Sequence, residues 1–142
     1  MFTLQQLASG PDRLMILATY PELTAAQLFD NFTVPALLKS WWPSAVEIEP
    51  RVGGLYHFSW PDMNWHLRGT ISAFEPGRRL TYSWLWDHEP FIPERQVDIL
   101  FAPKDSGSRL VLTHGFYEPE AARERMEHLD GWLYFLPLIH VK

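Results

Sequence analysis

The sequence contains no cysteine, which excludes disulfide bonds, thiolate metal ligands and a cysteine nucleophile. Basic residues are also few, 12 against 17 acidic ones, and a net charge of −5 argues against binding to nucleic acid or an anionic membrane. No apolar run approaches the roughly 20 residues that cross a bilayer, and the first ten residues lack the features of a signal peptide. We therefore expect a cytoplasmic protein with no nucleic-acid and no membrane partner.

The signatures of common catalytic and cofactor sites are missing too. The sequence has no nucleophile elbow, no phosphate-binding glycine loop, no HExxH zinc motif and no dinucleotide fingerprint. His88 and Glu89 are neighbours that suggest a metal ion, but no third ligand follows at a useful spacing. We expect no cofactor and no metal, and assign no catalytic residue. Whether the chain is an enzyme stays open, with a non-enzymatic role favoured.

What the sequence does contain is aromatic residues: 7 Trp, 9 Phe and 5 Tyr in 142 residues. A chain of this length, 46% hydrophobic, suits one domain over residues 1–142, with its core at about 12–136. From residue 46 to residue 116, large apolar residues alternate with polar ones. Because successive side chains of a strand point to opposite faces, this alternation predicts about six hairpin-connected strands with one apolar face.

Other elements flank these strands. The apolar run Arg13 to Tyr20 predicts a first strand. Thr24 and Gln27 match a capping box that opens a helix, and Pro35 suits the first turn of a second short helix that runs to Pro43. A last amphipathic helix begins near residue 118 and ends near residue 136. The order predicts an α+β helix-grip fold, a curved antiparallel sheet wrapped around the C-terminal helix.

Several motifs in this order resemble the START-like (SRPBCC) superfamily, in the branch homologous to the C-terminal domain of the heat-shock-protein-90 ATPase activator. The resemblance covers about residues 12–136 and implies a β-α-α-β6-α fold with a cavity between sheet and helix. The family helix usually continues for several more turns, whereas Pro137 shortens this one, so we expect Ile139 to Lys142 to be loosely held or engaged by a second subunit. The matching motifs are Trp41-Trp42-Pro43, Gly53 to Phe58, Gly69 to Ile71, Glu75-Pro76, Arg79 to Trp84, Ser108 to His114 and Gly131-Trp132.

The inward-facing side chains of the predicted sheet and helix are the candidate ligand-binding residues. They either line a sizeable cavity or mostly fill the core at normal density. So many large rings would leave a narrow or flat space, which suits a planar or slim apolar ligand. The candidates are Tyr56, Phe58, Trp60, Trp65, Leu67, Tyr82, Trp84, Trp86, Ile99, Leu112, His114, Leu129 and Trp132.

Several polar or small residues need separate interpretation. His114 shares strand parity with apolar neighbours, so we expect it to point inward, either as a ligand-binding or acid–base group or as a core histidine bonded to Tyr82 or a backbone group. Asp98 faces outward by parity and forms no dyad with it. The charges from Arg123 to Glu127 predict a solvated helix face. Gly131 is interpreted as allowing close approach of the helix to the sheet.

Three functions fit these patterns. The leading hypothesis is a domain that binds a small apolar molecule of unassigned identity. The first alternative is a cyclase- or hydrolase-like enzyme that acts on an apolar or aromatic substrate through His114 and a tyrosine. The second is a chaperone-binding or other protein-interaction module. The loop from Asp87 to Pro93 carries Phe91 and Ile92 and predicts a lid, a homodimer contact or packing over the cavity rim.

Overall fold

Eight antiparallel strands form one curved sheet in the computed structural model, which describes residues 1–139. The strands lie in the order β1-β2-β8-β7-β6-β5-β4-β3, so every neighbour except the β2–β8 pair is also adjacent along the chain. Their bounds are β1 Thr3–Leu7, β2 Arg13–Tyr20, β3 Ala45–Ile48, β4 Leu55–Trp60, β5 Trp65–Glu75, β6 Arg79–Trp86, β7 Arg95–Lys104 and β8 Gly107–Gly115.

Two short helices separate β2 from β3, and one longer helix follows β8. They are α1 Ala25–Thr33, α2 Pro35–Leu38 and α3 Ala122–Phe135. The predicted capping box is confirmed, since the Gln27 backbone N–H donates to Thr24 Oγ1 (3.1 Å) and the Thr24 N–H donates to Gln27 Oε1 (2.9 Å). Helix α2 ends earlier than predicted, and turns carry the chain from there to Pro43. Among residues 1–139, no helix has the length and apolarity needed to cross a bilayer.

The predicted helix-grip fold class is confirmed, with one addition. Strand β1, which the sequence pattern does not predict, pairs with β2 in the register Thr3 to Thr19 and Leu7 to Met15. Two adjacent glutamines occupy the centre of β1, so its apolar alternation is too weak to recognise. The fold is therefore the expected β-α-α-β6-α arrangement with an extra N-terminal edge strand.

Part of the inner face of the sheet is covered by α1 and packed with phenylalanine. Phe29 of α1 contacts Phe74 and Phe101 edge-on, with ring centroids 5.1 and 5.3 Å away, and Phe32 contacts Phe101 at 5.7 Å. Leu28 beside them is fully buried. We call these five residues the phenylalanine region. Its rings meet in the edge-to-face geometry that aromatic pairs prefer, so this half of the interior is filled.

The end of α3 behaves as Pro137 predicts. The helix stops at Phe135 and continues as a single 3-10 turn, Leu136–Leu138. The Tyr20 hydroxyl of β2 donates to the Leu136 carbonyl (2.8 Å), which ties this end of the helix to the sheet. Ile139 is buried, so the expectation that it is loosely held is wrong. Residues 140–142 of that prediction lie outside the described residues.

Candidate functional site

A cleft of about 620 Å³ lies between α3 and the end of the sheet that α1 does not cover. Its volume falls within the roughly 300–1,000 Å³ of small-molecule pockets. Six of the seven tryptophans of the chain line it, and we call it the tryptophan cleft. They are Trp42, Trp60, Trp65, Trp84, Trp86 and Trp132.

Strand register and helix spacing bring these rings together. Trp60 of β4 pairs directly with Trp65 of β5, and Trp84 and Trp86 alternate on the same face of β6. Trp42, in the turn after α2, stacks on Trp84 with centroids 5.8 Å apart and planes at 16°. Side chains from three strands, a turn and α3 therefore converge on one space, as the alternating pattern indicates.

The structure separates the thirteen predicted ligand-binding residues into two groups. Five line the cleft, all of them tryptophans: Trp60, Trp65, Trp84, Trp86 and Trp132. The other eight are buried in the packed core and are not part of its lining: Tyr56, Phe58, Leu67, Tyr82, Ile99, Leu112, His114 and Leu129. Strand parity correctly turns seven of these residues inward, and helical spacing does so for Leu129 of α3. Neither pattern distinguishes the filled part of an interior from its open part.

His114 points inward as expected and is completely buried. Its Nδ1 accepts a hydrogen bond from Trp132 Nε1 (3.0 Å), so the ring proton of the neutral imidazole is on Nε2. Burial lowers the pKa of His114 well below its ordinary value, and nearby His128 and Arg95 lower it further. The expected partner Tyr82 is not used. His114 supports Trp132 from behind and does not reach the cleft.

His128 of α3 lines the cleft and was not recognised in the sequence. Its ring stacks on His114, with centroids 4.5 Å apart and planes at 6°, and the Tyr117 hydroxyl lies 2.7 Å from its Nδ1. Burial lowers the pKa of His128 to about 4, while the opposing charges of Glu124 and Arg95 act in opposite directions. The ring is therefore neutral at pH 7, with Tyr117 donating to Nδ1 and the ring proton on Nε2.

A buried arginine holds in place the helix that forms one wall of the cleft. Arg95, the first residue of β7, has a side chain only 2% exposed and donates from Nε and Nη2 to both carboxylate oxygens of Glu124 (2.9 and 2.7 Å). It also pairs with Glu118 and donates to the Phe116 carbonyl (2.7 Å). Bidentate arginine–carboxylate pairs are among the strongest polar contacts in proteins. They fix the start of α3 against β7.

The predicted solvated face of α3 is therefore wrong for two of its residues. Glu124 is paired with Arg95, and Arg125 donates from Nε to the Arg13 carbonyl of β2 (2.7 Å). The prediction considered only partners one helical turn away, whereas these partners are distant in sequence.

Two further glutamates, Glu89 from the loop after β6 and Glu127 from α3, complete the acidic part of the lining. Neither forms an ion pair or a side-chain hydrogen bond with any of residues 1–139. Burial raises the pKa of Glu89; His88 opposes this rise, and the negative charges of Glu124 and Glu127 add to it. These carboxylates face the tryptophans across a space that no lysine or arginine among the described residues lines.

Gly131 also lines the cleft, and its interpretation as a close-contact glycine is wrong. A Cβ added there would meet no atom within 4 Å, because this stretch of α3 faces the open space. The loop after β6 places His88 on Trp65, with centroids 5.6 Å apart and planes at 18°, whereas Phe91 is 84% exposed. No group of three or more His, Asp or Glu side chains is placed to hold a metal within residues 1–139.

A second depression of about 620 Å³ lies over β3 to β6. Its lining includes exposed polar side chains, among them Glu47 and Arg68, and His57, which lies 3.0 Å from Glu47 Oε1 and 2.8 Å from His66 Nδ1. The tryptophan cleft differs in having an aromatic lining and a helix as one wall. Aromatic, concave surfaces are typical of ligand sites, so the tryptophan cleft is the candidate.

Comparison with known proteins identifies the family. The pattern of the family described as "Activator of Hsp90 ATPase homolog 1-like protein" matches residues 22–139. The chain belongs to this family. The predicted resemblance to the START-like superfamily is thereby confirmed. No curated protein matches the chain in sequence.

Solved structures of several bacterial proteins share the fold. Protein MLL2253 from Mesorhizobium loti is 22% identical, with a TM-score of 0.80, over 89% of this chain and 93% of that one. A protein from Rhodobacter sphaeroides is 24% identical, with a TM-score of 0.78, over 96% and 94%. CalU16 from Micromonospora echinospora is 20% identical, with a TM-score of 0.72, over 98% and 84%. At these identities the likeness concerns the fold alone.

Proposed function

We propose that this family member binds a small, flat, largely apolar molecule in the tryptophan cleft. The observation that carries the proposal is the unfilled space of about 620 Å³ beside aromatic side chains, of which Trp65 is 41% exposed. Apolar surface gains roughly 25 cal/mol for each Å² removed from water. A ligand that covers these rings would remove their apolar surface from water and gain this free energy on binding.

The chemistry of the lining favours binding over catalysis. An efficient general base has a pKa near the working pH, and burial holds the pKa of His128 at about 4. His114 is sealed from the cleft and bonded to Trp132. The cyclase- or hydrolase-like activity predicted from His114 stays a prediction, and loss of a measured turnover in a folded His114→Ala variant would be its support.

Binding can be tested by titration with Nile red, a neutral flat dye whose fluorescence rises in apolar surroundings. We expect saturable binding, and a gain in unfolding free energy of about 2.7 kcal/mol at a dye concentration of one hundred times Kd. Substitution Gly131→Leu places a side chain in the open space and should abolish binding. The matched control, Gly131→Ala, adds one methyl group and should retain it.

An unchanged Nile red signal with the parent protein, or equal binding by the Gly131→Leu and parent proteins, would contradict the proposal. Native mass spectrometry of freshly purified protein is an independent measurement. We expect a bound small molecule that disappears in the Gly131→Leu variant.

The family description itself favours a second candidate function, association with a chaperone of the Hsp90 type. Exposed apolar side chains next to the cleft, such as Phe91, would be its contact surface. A pulldown with purified chaperone separates the two functions. Retention that is lost in Phe91→Asp but unaffected by Gly131→Leu would support the chaperone, and no retention would dismiss it.

A further inference from the structure

We infer that the ligand of the tryptophan cleft is an organic cation, an amine or quaternary ammonium compound with an apolar body. The inference rests on the proposed function and names the chemical class of the ligand. It follows from a juxtaposition: partly exposed indole rings face carboxylates, and among the described residues of the lining none is lysine or arginine.

The indole faces provide the first half of a cation site. Trp42, Trp60 and Trp86 are half-buried, and Trp65 at the rim is the most exposed of the set. Tryptophan has the strongest ring quadrupole of the aromatic side chains and attracts a cation placed over its face. Rings at different tilts surround the space, for example Trp60 and Trp86 at 43° and Trp65 and Trp86 at 68°. A compact cation can contact several faces at once in such a cage.

Carboxylates provide the second half, from two separate elements. Glu89 reaches the cleft from the loop after β6, and Glu124 and Glu127 reach it from α3. Arg95 already neutralises Glu124. Glu89 and Glu127 have no ion-pair partner within residues 1–139, so the cleft carries negative charge that no lysine or arginine of the described lining offsets.

A cation suits this surface better than a neutral or anionic ligand does. Any ligand that fills the cleft removes water from Glu89, and removing water from an uncompensated carboxylate is unfavourable. A neutral ligand leaves that penalty in place, and an anion adds repulsion. A cation replaces the lost hydration with direct attraction, which strengthens as the site becomes drier.

The two histidines of the cleft do not remove its negative charge. His128 is neutral and receives the Tyr117 hydroxyl on Nδ1, so it adds no positive charge to the lining. His88 lies flat on Trp65 and also lines the cleft, where it acts on Glu89 in the direction opposite to the other glutamates. Even a protonated His88 would offset only one of the two unpaired glutamates, so the lining stays negative.

Three probes of similar shape and different charge test the inference. They are phenyltrimethylammonium, its neutral carbon analogue tert-butylbenzene, and benzenesulfonate. Binding is followed by quenching of tryptophan fluorescence at low ionic strength. We expect the cation to bind at least tenfold more tightly than tert-butylbenzene and benzenesulfonate to bind most weakly. Added salt should weaken the binding of the cation only, because salt screens its attraction to the carboxylates.

Charge variants then assign the effect to the cleft. The double substitution Glu89→Gln/Glu127→Gln should lower the affinity for phenyltrimethylammonium at least tenfold and leave tert-butylbenzene unchanged. Since neither carboxylate has an ion-pair partner among the described residues, we expect the variant to fold, as circular dichroism would show. The control, Glu22→Gln, makes the same kind of charge change on an exposed turn outside the cleft and should change neither affinity.

The outcomes are distinguishable. Equal or tighter binding of tert-butylbenzene or benzenesulfonate overturns the inference and leaves the proposed function in place. So does failure of all three probes when Nile red still binds. If Nile red fails as well, the proposed function is overturned and the inference with it. Retention of the cation preference in the double glutamine variant would also overturn the inference, because the glutamates would not be its source.

Discussion

The phenylalanine region and the tryptophan cleft occupy two parts of the same sheet's inner face, and they differ in how completely they are filled. In the first, Phe29 of α1 meets Phe74 and Phe101 with centroids about 5 Å apart and is almost fully buried. In the second, Trp65 is 41% exposed and Gly131 faces open space. We infer that the phenylalanine region contributes most of the packing stability, whereas the tryptophan cleft is left open for a ligand.

The most direct test of this division removes one large ring from each region. Phe29→Ala should lower the free energy of unfolding by about 3–5 kcal/mol, because it opens a cavity in a filled core. Trp65→Ala should lower it by about 1 kcal/mol or less, because that ring is partly in water already. Urea denaturation followed by circular dichroism measures both. Similar losses would show that the two regions contribute equally to stability.

Replacing the buried arginine behind the cleft should have the next largest effect on the free energy of unfolding. Arg95→Met should reduce the free energy of unfolding by about 3 kcal/mol, because Glu124 loses the partner that compensates its burial. The matched control is Arg68→Met, which breaks an exposed pair with Asp87 (3.0 Å) and should change stability by less than about 1 kcal/mol. If the two variants unfold at the same urea concentration, the cleft wall does not depend on the buried pair.

Unfolding at lower pH tests how far His128 is shielded from water. The pKa of His128 is about 4 in the folded protein and about 6.5 when unfolded. The unfolded chain therefore binds more protons between these values, so stability rises with pH across this window. From pH 7 to pH 5 the protein should lose about 2 kcal/mol through this group. The sealed His114 shifts in the same direction and adds to the loss.

The measurement is the urea midpoint at several pH values, for the parent protein and for His128→Gln. The variant should show a shallower dependence between pH 5 and pH 7. Parallel curves for the two proteins would contradict the dry environment of His128.

The smallest expected effect compares two glycines. Gly131→Ala should raise stability by up to about 1 kcal/mol, because alanine favours the helix and the new Cβ meets no atom within 4 Å. Gly69→Ala should lower it, since a Cβ in that strand would lie 2.1 Å from the Ser83 carbonyl oxygen. Thermal unfolding of both variants is sufficient. A destabilised Gly131→Ala protein would show that the cleft is narrower than the structure indicates.

Strand periodicity predicted much of this architecture correctly. The alternation that turned Tyr82, Trp84 and Trp86 to one face needs only the two-residue repeat of a strand, and the capping box of α1 needs only residues three apart. Such local patterns are determined by backbone geometry, so they can be read without knowledge of the rest of the chain.

The candidate site was predicted less well, because its features depend on contacts between distant segments. Glu124 is paired with Arg95, 29 residues earlier in the chain, and no helical repeat indicates that partner. One signal was available for His128, because Glu124, His128 and Trp132 are spaced four apart and share one face of α3. Whether Gly131 faces a strand or an empty space is decided by packing across the whole fold.

Helix α3 is fastened to the sheet at both ends, by Arg95 near its start and by the Tyr20 hydroxyl at its finish. A ligand that entered beneath the helix would have to break the Arg95 ion pair or the Tyr20 hydrogen bond. We expect entry to be easier between Met63 and His88, which line the cleft from the connections that follow β4 and β6. Association and dissociation rates should consequently depend on the stiffness of the residue 87–94 segment, with little sensitivity to how firmly α3 is anchored.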